Sequence, residues 1–395
     1  MVASNHFDIA VIGAGIHGAG VAQAAAAAGY SVLVLEQTGI ASATSSGSTK
    51  LIHGGLRYLE TGQFALVREC LRERELLLKL APELVWLRPF YIPVYRDTWR
   101  RPWQLRLGLG LYAALAGLGR DSRFRCLPAR LWHGLDGLET RDLEQVFQYW
   151  DAQTDDAALT HAVMHSAQSL GAELHVPAIF TAAELRERDC IVDYMYNGSE
   201  IRCTAGVIVN ASGAWVNDVL KRVAPAVVGN PMDLVQGAHI VVNGKLHQGI
   251  YYLEAPRDRR AVFAMPWKGN ILVGTTETPF RGDPAKVAPL PEEQNYLLET
   301  LGHYFPAFRD RKCARVVEAF AALRVLPAGR GTAFRRTRET VLHGSPSSHP
   351  RLLTVYGGKL TAYRATAQKI IERLCESLPS RPPVASTREL PLTPG

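Results

Sequence analysis

An α/β fold is predicted by three features of this 395-residue sequence: a parallel-sheet unit assembled from separated stretches, with a mostly antiparallel sheet inserted between them. The first feature is the run Phe7-Asp-Ile-Ala-Val-Ile-Gly13-Ala-Gly15-Ile-His-Gly18, which leads through an alanine-rich helical stretch to Ser31-Val-Leu-Val-Leu-Glu36. The second is the return of the same strand–glycine–helix wording at residues 205–215 and 352–364. The third is a group of short strands between those returns: 237–242, 260–267 and 270–275. Here Lys268-Gly-Asn270 reads as a hairpin turn.

Each part of the N-terminal run has a physical task. Gly13 permits the tight turn, Gly15 lets the backbone approach a pyrophosphate, and Gly18 lets helix and strand pack closely. The helix N-terminus offers unpaired N–H groups and positive dipole to phosphates. Glu36 closes the second strand, where its carboxylate accepts hydrogen bonds from ribose hydroxyls and repels a 2′-phosphate. The spacing predicts a dinucleotide that lacks such a phosphate.

Composition bounds the answer. The length suits two domains, and the 47% hydrophobic and 21% charged content excludes a disordered chain. Met1-Val-Ala-Ser-Asn-His is too short and polar to read as a signal peptide. Six scattered cysteines without a CxxC read as reduced thiols in a cytosolic compartment, not as metal ligands or disulfides. The net charge of +7 suits anionic ligands or an anionic membrane surface, but it is too diffuse to argue for nucleic acid.

The stretch Ala41-Ser-Ala-Thr44-Ser45-Ser46-Gly-Ser48-Thr49-Lys50-Leu-Ile-His53-Gly54-Gly55-Leu-Arg57-Tyr58 has no helical or strand period. It can bring many N–H and O–H donors to an extended anionic cofactor; the plain alternative is a solvent loop. Phe64 to Leu80 then reads as an amphipathic helix ending before Pro82. A buried strand emerging into Ser212-Gly213 implies close backbone approach, and Gly357-Gly358-Lys359 adds a charge to a helix N-terminus. These four junctions are expected along the carboxyl edge of one sheet.

The sequence resembles the FAD-dependent glycerol-3-phosphate dehydrogenases, within the D-amino-acid-oxidase-like flavoprotein superfamily. The blocks that carry the resemblance are residues 43–60, Gly237-Ala-His239-Ile-Val-Val, Gly274-Thr275-Thr276-Glu277 and Tyr356-Gly-Gly-Lys-Leu-Thr-Ala-Tyr-Arg364. It implies a discontinuous Rossmann-like FAD-binding domain at 1–90, 151–228 and 341–380. An inserted α+β substrate domain follows at 91–150 and 229–340, with a tail at 381–395. FAD would be gripped by Gly13, Gly15, Gly18 and Glu36, and by Thr44, Ser45, Ser46, Ser48 and Lys50. His53, Ser212 and Gly213 would lie beside it, and Gly358, Leu360 and Thr361 would turn near the flavin C2 carbonyl. Substrate would meet the flavin between Arg57, Tyr58, His239, Thr275, Arg324, Arg338 and Lys359. The implied activity is oxidation of sn-glycerol 3-phosphate to dihydroxyacetone phosphate, with electrons passed to membrane quinone.

The chemistry follows from residue types as well. Oxidising a secondary alcohol moves a C–H hydride to flavin N5 while the hydroxyl proton leaves to a base. His239 is the expected base, since an unperturbed pKa of ~6.5 leaves it largely neutral. A strand histidine satisfied by its neighbours is the plain alternative, and for His53 a hydrogen-bonded turn. Arginine binds oxyanions in bidentate fashion, which assigns Arg57, Arg324 and Arg338 to phosphate and alkoxide contacts. Arg335 and Arg336 read as surface charge. Arg324, His239 and Lys359 form the expected catalytic group.

The sequence departs from the family's wording at residues 321–327, although Arg324 is kept. Glu277 stands where aspartate is more usual. Family members commonly continue into a helical C-terminal domain of ~100 residues, whereas this sequence ends at Leu390-Pro-Leu-Thr-Pro-Gly395. The uncharged run 107–119 is short of the ~20 residues a spanning helix needs. With Trp103 and basic flanks it reads either as a helix lying in the bilayer interface or as a buried helix. The family's quinone chemistry favours peripheral attachment at the cytoplasmic face of the inner membrane. A homo-oligomer is compatible with the sequence. An amino-acid or 2-hydroxy-acid oxidase on the same scaffold is the alternative enzyme, and a non-catalytic flavin-binding subunit the alternative outside catalysis.

Overall fold

The computed structural model describes residues 6–310, 312–329, 340–346 and 348–394. Seven α-helices lie among them: α1 Ile16–Ala27, α2 Phe64–Leu80, α3 Pro102–Leu115, α4 Asp156–Ser169, α5 Val216–Leu220, α6 Pro291–Tyr304 and α7 Tyr363–Leu374. The strands form two sheets, and α2 spans the range read from its pattern.

The first sheet centres on His6–Ile12, with Val32–Leu35 on one side and Ser199–Asn210 on the other, both parallel to it. Leu352–Tyr356 adds a further parallel strand beside Ser199–Asn210. Helix α1 covers one face and packs against α4 and α7. Its small residues make that approach possible: a Cβ on Gly20 would lie 2.7 Å from the Tyr363 ring. Ile9, Val11, Val34, Val207 and Val209 are fully or almost fully buried here. A buried aliphatic side chain of this size contributes about 1.5–3 kcal/mol. Continuous apolar strands suit a sheet covered on both faces.

The second sheet is mostly antiparallel. Met232–Val242 runs between Val316–Pro327 and Asn270–Gly274. Ala261–Trp267 joins Asn270–Gly274 through the expected hairpin, where Lys268 and Gly269 both take positive φ. Val85–Tyr95 and Leu143–Thr154 extend the sheet. The chain enters it earlier than the 1–90 boundary implies, since Leu51–Ile52 already pairs with Leu143–Thr154.

Three of the four expected junctions leave carboxyl ends of parallel strands in the first sheet, at Gly13, Ser212 and Gly357. The hydroxyl-rich stretch does not: it crosses to the second sheet at Leu51–Ile52. Ligands of open α/β sheets bind outside such carboxyl ends, and here the crossing stretch and the second sheet close that region.

Helix α3 buries Leu105, Leu109, Tyr112 and Ala113, while Trp103 and Leu107 on its outer face are 63% and 66% exposed. Among the described residues, no helix is long and apolar enough to cross a membrane.

Candidate functional site

A cavity of about 440 Å³ lies between the two sheets. Its floor is the glycine turn after the first strand. Gly13 has φ +102°, and a Cβ there would lie 2.8 Å from the Ala211 carbonyl oxygen. A Cβ on Gly18 would run into the Gly13 carbonyl oxygen, so Gly18 seats the helix on the turn without reaching the cavity. Gly15 caps α1 and lines the cavity. The Glu36 carboxylate accepts from the backbone N–H of Ala14 at 2.8 Å and of Thr38 at 2.9 Å, which fixes it at the cavity wall.

The hydroxyl-rich stretch is stitched down at several points. Ser45 Oγ accepts from the Ile16 N–H at 2.9 Å, and Thr44 Oγ1 donates to the Leu323 carbonyl at 2.8 Å. Thr44, Ser45, Ser48 and Thr49 line the cavity. Ser46 and Lys50 do not. The Lys50 ammonium, expected on the cofactor, turns away to Asp156 Oδ1 at 2.6 Å and to the Ser46 carbonyl, while Asp156 Oδ2 accepts from the Ser48 N–H at 2.9 Å. A fully buried carboxylate demands a cation, and Lys50 supplies it.

Ser212 and Gly213 reach the cavity from the second junction, and Asn210 holds the Ser212 hydroxyl at 2.6 Å. Gly358, Lys359, Leu360 and Thr361 reach it from the last turn. Gly358 has φ +123°, and the imidazole of His17 occupies the place its Cβ would take. His17 lines the cavity, its Nδ1 has no hydrogen-bond partner among the described residues, and burial pushes its pKa down to about 4. It sits within the Gly15-Ile-His-Gly18 wording itself; only its orientation was beyond sequence reasoning.

His53 lines the cavity and is tied to the last turn, its N–H donating to Thr361 Oγ1 at 3.0 Å. Arg57 and Tyr58 follow, and the Lys359 ammonium sits 3.5 Å from the centre of the Tyr58 ring. From the second sheet come Thr275 and Arg324, with Arg324 Nη2 donating to Thr275 Oγ1 at 2.9 Å. Gly237 leaves room for that guanidinium. Arg260 and Glu277 also line the cavity, although the sequence singled out Arg260 only as a strand end. Arg338 lies outside the described residues.

His239 is placed differently from expectation. It is 1% exposed and does not line the cavity. Its ring stacks on Phe320, and its Nε2 lies 3.0 Å from the Oγ1 of Thr49, which does line the cavity. Burial, then the charges of Arg324 and Lys50, hold its pKa well below the usual histidine value. Gly237 and His239 lie two residues apart in their strand, yet only Gly237 of the two lines the cavity.

The residues present fit FAD. Glycines keep the turn open where any side chain would intrude, Glu36 waits at the end of the second strand, and His17, which lines the cavity, has a buried ring nitrogen without a partner among the described residues. Residues 8–364 match the family described as DAO, FAD dependent oxidoreductase. A glycerol-3-phosphate dehydrogenase of Pseudomonas aeruginosa is 37% identical over 93% of this chain and 71% of its own length. A D-erythritol 1-phosphate dehydrogenase of Brucella abortus is 36% identical over 94% and 74%. The glycerol-3-phosphate dehydrogenase of Bacillus halodurans, solved with FAD, superposes with a TM-score of 0.75 at 25% identity, covering 98% of this chain and 68% of that one. A nucleotide cradle shared by two sheets and a match along nearly the whole chain lead to one conclusion: the protein belongs to the FAD-dependent oxidoreductases, on the branch that holds the glycerol-3-phosphate dehydrogenases.

Proposed function

We propose that the protein oxidises sn-glycerol 3-phosphate to dihydroxyacetone phosphate and passes the electrons to membrane quinone. One observation supports the substrate most: Arg57, Arg324 and Lys359 line the same cavity as the FAD cradle. An amino acid or 2-hydroxy acid needs one carboxylate-binding arginine, whereas a phosphate dianion rewards several cations.

When bound, FAD supplies the two-electron acceptor for the hydride on the substrate's secondary carbon. It would be held by Gly13, Gly15 and Glu36, by Thr44, Ser45 and Ser48, and by Ser212, Gly213, Gly358, Leu360 and Thr361. The turn before α7 and Lys359 would stabilise negative charge that develops in the cavity. Arg57 and Arg324, with Arg338, take the phosphate and alkoxide oxygens. His53 takes the hydroxyl proton, because it is the expected histidine that lines the cavity and Thr361 fixes its backbone. His239 acts on the site through Thr49, as a positioning residue.

Anaerobic mixing of the yellow protein with sn-glycerol 3-phosphate tests the reading. Bleaching of the flavin spectrum is expected, and its absence with glycerol and glycine. D-erythritol 1-phosphate belongs in the same panel, because the Brucella relative is nearly as similar as the Pseudomonas one. Bleaching by that ester alone would replace the substrate, and bleaching by neither ester would sink the phosphate-ester reading.

The exposed Trp99, Trp103, Leu107 and Leu118 in and beside α3 support peripheral membrane attachment, which we place at the cytoplasmic face. Trp103→Glu with Leu107→Glu is expected to abolish co-sedimentation with anionic vesicles and leave flavin reduction in solution unchanged. Unaltered sedimentation of that variant would remove α3 from the attachment.

A further inference from the structure

The cavity holds a cation that the substrate contacts above do not use. Arg260 precedes the strand Ala261–Trp267 and lines the same cavity as Arg57, Arg324 and Lys359. Its Nη2 lies 3.0 Å from Glu277 Oε2, and its Nη1 donates to the Glu277 carbonyl at 3.4 Å. The other carboxylate oxygen, Oε1, lies 3.8 Å from Arg324 Nη1. Glu277 itself is almost wholly buried and stands between the two guanidiniums. Arg324 is held as well by Thr275 Oγ1, which accepts from Nη2 at 2.9 Å, and by the Thr276 carbonyl, which accepts from Nη1 at 3.2 Å.

Two guanidiniums meet one carboxylate at the cavity wall. The arrangement is incomplete in hydrogen bonding. Each guanidinium carries five N–H donors in a rigid fork, and the buried Nε of Arg260 has no partner among the described residues. A charged ligand with several oxygens supplies what is missing, and arginine forks receive phosphate oxygens in pairs. Glutamate has one methylene more than the aspartate usual at this position, and here it reaches both arginines.

We propose that Arg260 is a further phosphate-binding arginine of the substrate pocket, and that Glu277 bridges it to Arg324 so that both forks meet one phosphate dianion. This rests on the phosphate-ester reading and assigns that reading a residue and a specificity. Glu277 is a positioning residue, Arg260 a substrate-binding one.

Calorimetric titration of the FAD-loaded enzyme with inorganic phosphate reads anion binding without turnover, so it stays informative whatever the true substrate is. Arg260→Gln is expected to weaken phosphate about 10–100-fold, the worth of a charge-assisted hydrogen bond or two. It should raise KM for sn-glycerol 3-phosphate to a similar extent, while the limiting rate of flavin reduction stays within about threefold. Arg260→Lys keeps the charge but loses the fork, and a weakening of about tenfold is expected. Wild-type phosphate affinity in Arg260→Lys overturns the proposal, even where Arg260→Gln fails to hold flavin. So does a double variant, Arg260→Gln with Glu277→Gln, that binds phosphate as the wild type does, because Arg260 would then serve only to neutralise Glu277. If sn-glycerol 3-phosphate bleaches no flavin in the wild type and Arg260→Gln still loses phosphate, the substrate reading falls and the anion site stands.

Discussion

The two ends of the cavity are built by opposite means. The cofactor cradle is made of backbone: Gly13, Gly15, Gly213 and Gly358 leave space, and the Ser45 and Glu36 side chains tie that backbone down. The substrate wall is made of charge. Arg57, Arg260, Glu277, Arg324 and Lys359 come from distant parts of the chain and meet only in the fold. A cradle of backbone is sensitive to shape, so a single Cβ matters. A wall of charges is sensitive to balance, so the loss of one partner exposes another.

The largest expected effect separates the two histidines that serve the wall. His53→Asn should lower the limiting rate of flavin reduction about 10²–10⁴-fold, the usual contribution of a positioned base. His239→Asn should lower it about tenfold, without changing the shape of the rate profile between about pH 6 and 9, since its imidazole is already neutral there. Stopped-flow reduction across that range checks both. A larger loss in His239→Asn than in His53→Asn would return the base to the strand and leave His53 a turn residue.

That contrast also measures what sequence could tell. The cradle was readable because its parts are local: a glycine turn, a helix and an acid about 20 residues on reach one place through short-range geometry. The Lys268-Gly269 hairpin and α2 were readable for the same reason. The apolar run around His239 placed it in a strand, as found. It could not show that Thr49, from a loop 190 residues away, would meet its ring. Lys50 misled in the same way. A lysine in a hydroxyl-rich loop suggests a phosphate partner, but Asp156 on α4 is nearer and buried, and pairing it takes precedence. Arg260 and Glu277 gave little signal, because an ion pair between distant segments has no spacing to recognise.

Next in size is the stitch that carries the chain from one sheet to the other. Lys50→Met leaves the fully buried Asp156 carboxylate without its cation, and a loss of about 3–5 kcal/mol is expected. Lys50→Met with Asp156→Asn should recover much of it. Urea unfolding of the three proteins decides, and equal stability of the single variant and the wild type would make the pair incidental.

A smaller effect is expected at Tyr112, on the buried face of α3. Its hydroxyl accepts from the Gly54 N–H at 2.8 Å and donates to Asp151 Oδ2 at 2.6 Å, while Arg74 Nη1 holds Asp151 Oδ1 at 2.6 Å. This network anchors the loop that carries His53, and a Cβ on Gly54 would lie 2.6 Å from the hydroxyl. Tyr112→Phe removes both bonds and should cost about 1–3 kcal/mol of stability. It should also slow flavin reduction more than it alters phosphate binding. An effect on phosphate binding alone would place the network under the wall instead of under His53.

The smallest expected effect belongs to the imidazole packed against the last glycine turn. His17 has an ordinary value of 6.5, and burial pushes it down to about 4. As pH falls through that interval the unfolded chain takes up a proton that the folded chain refuses, so stability declines between about 6.5 and 4 and is level below. His239 is shifted in the same direction, so His17 accounts for only part of the slope. In flavin-free protein, His17→Gln should lose less stability between pH 7 and pH 5 than the wild type does. Identical slopes in the two proteins would mean that the imidazole beside Gly358 is hydrated enough to titrate normally, and that the cradle is defined by its glycines alone.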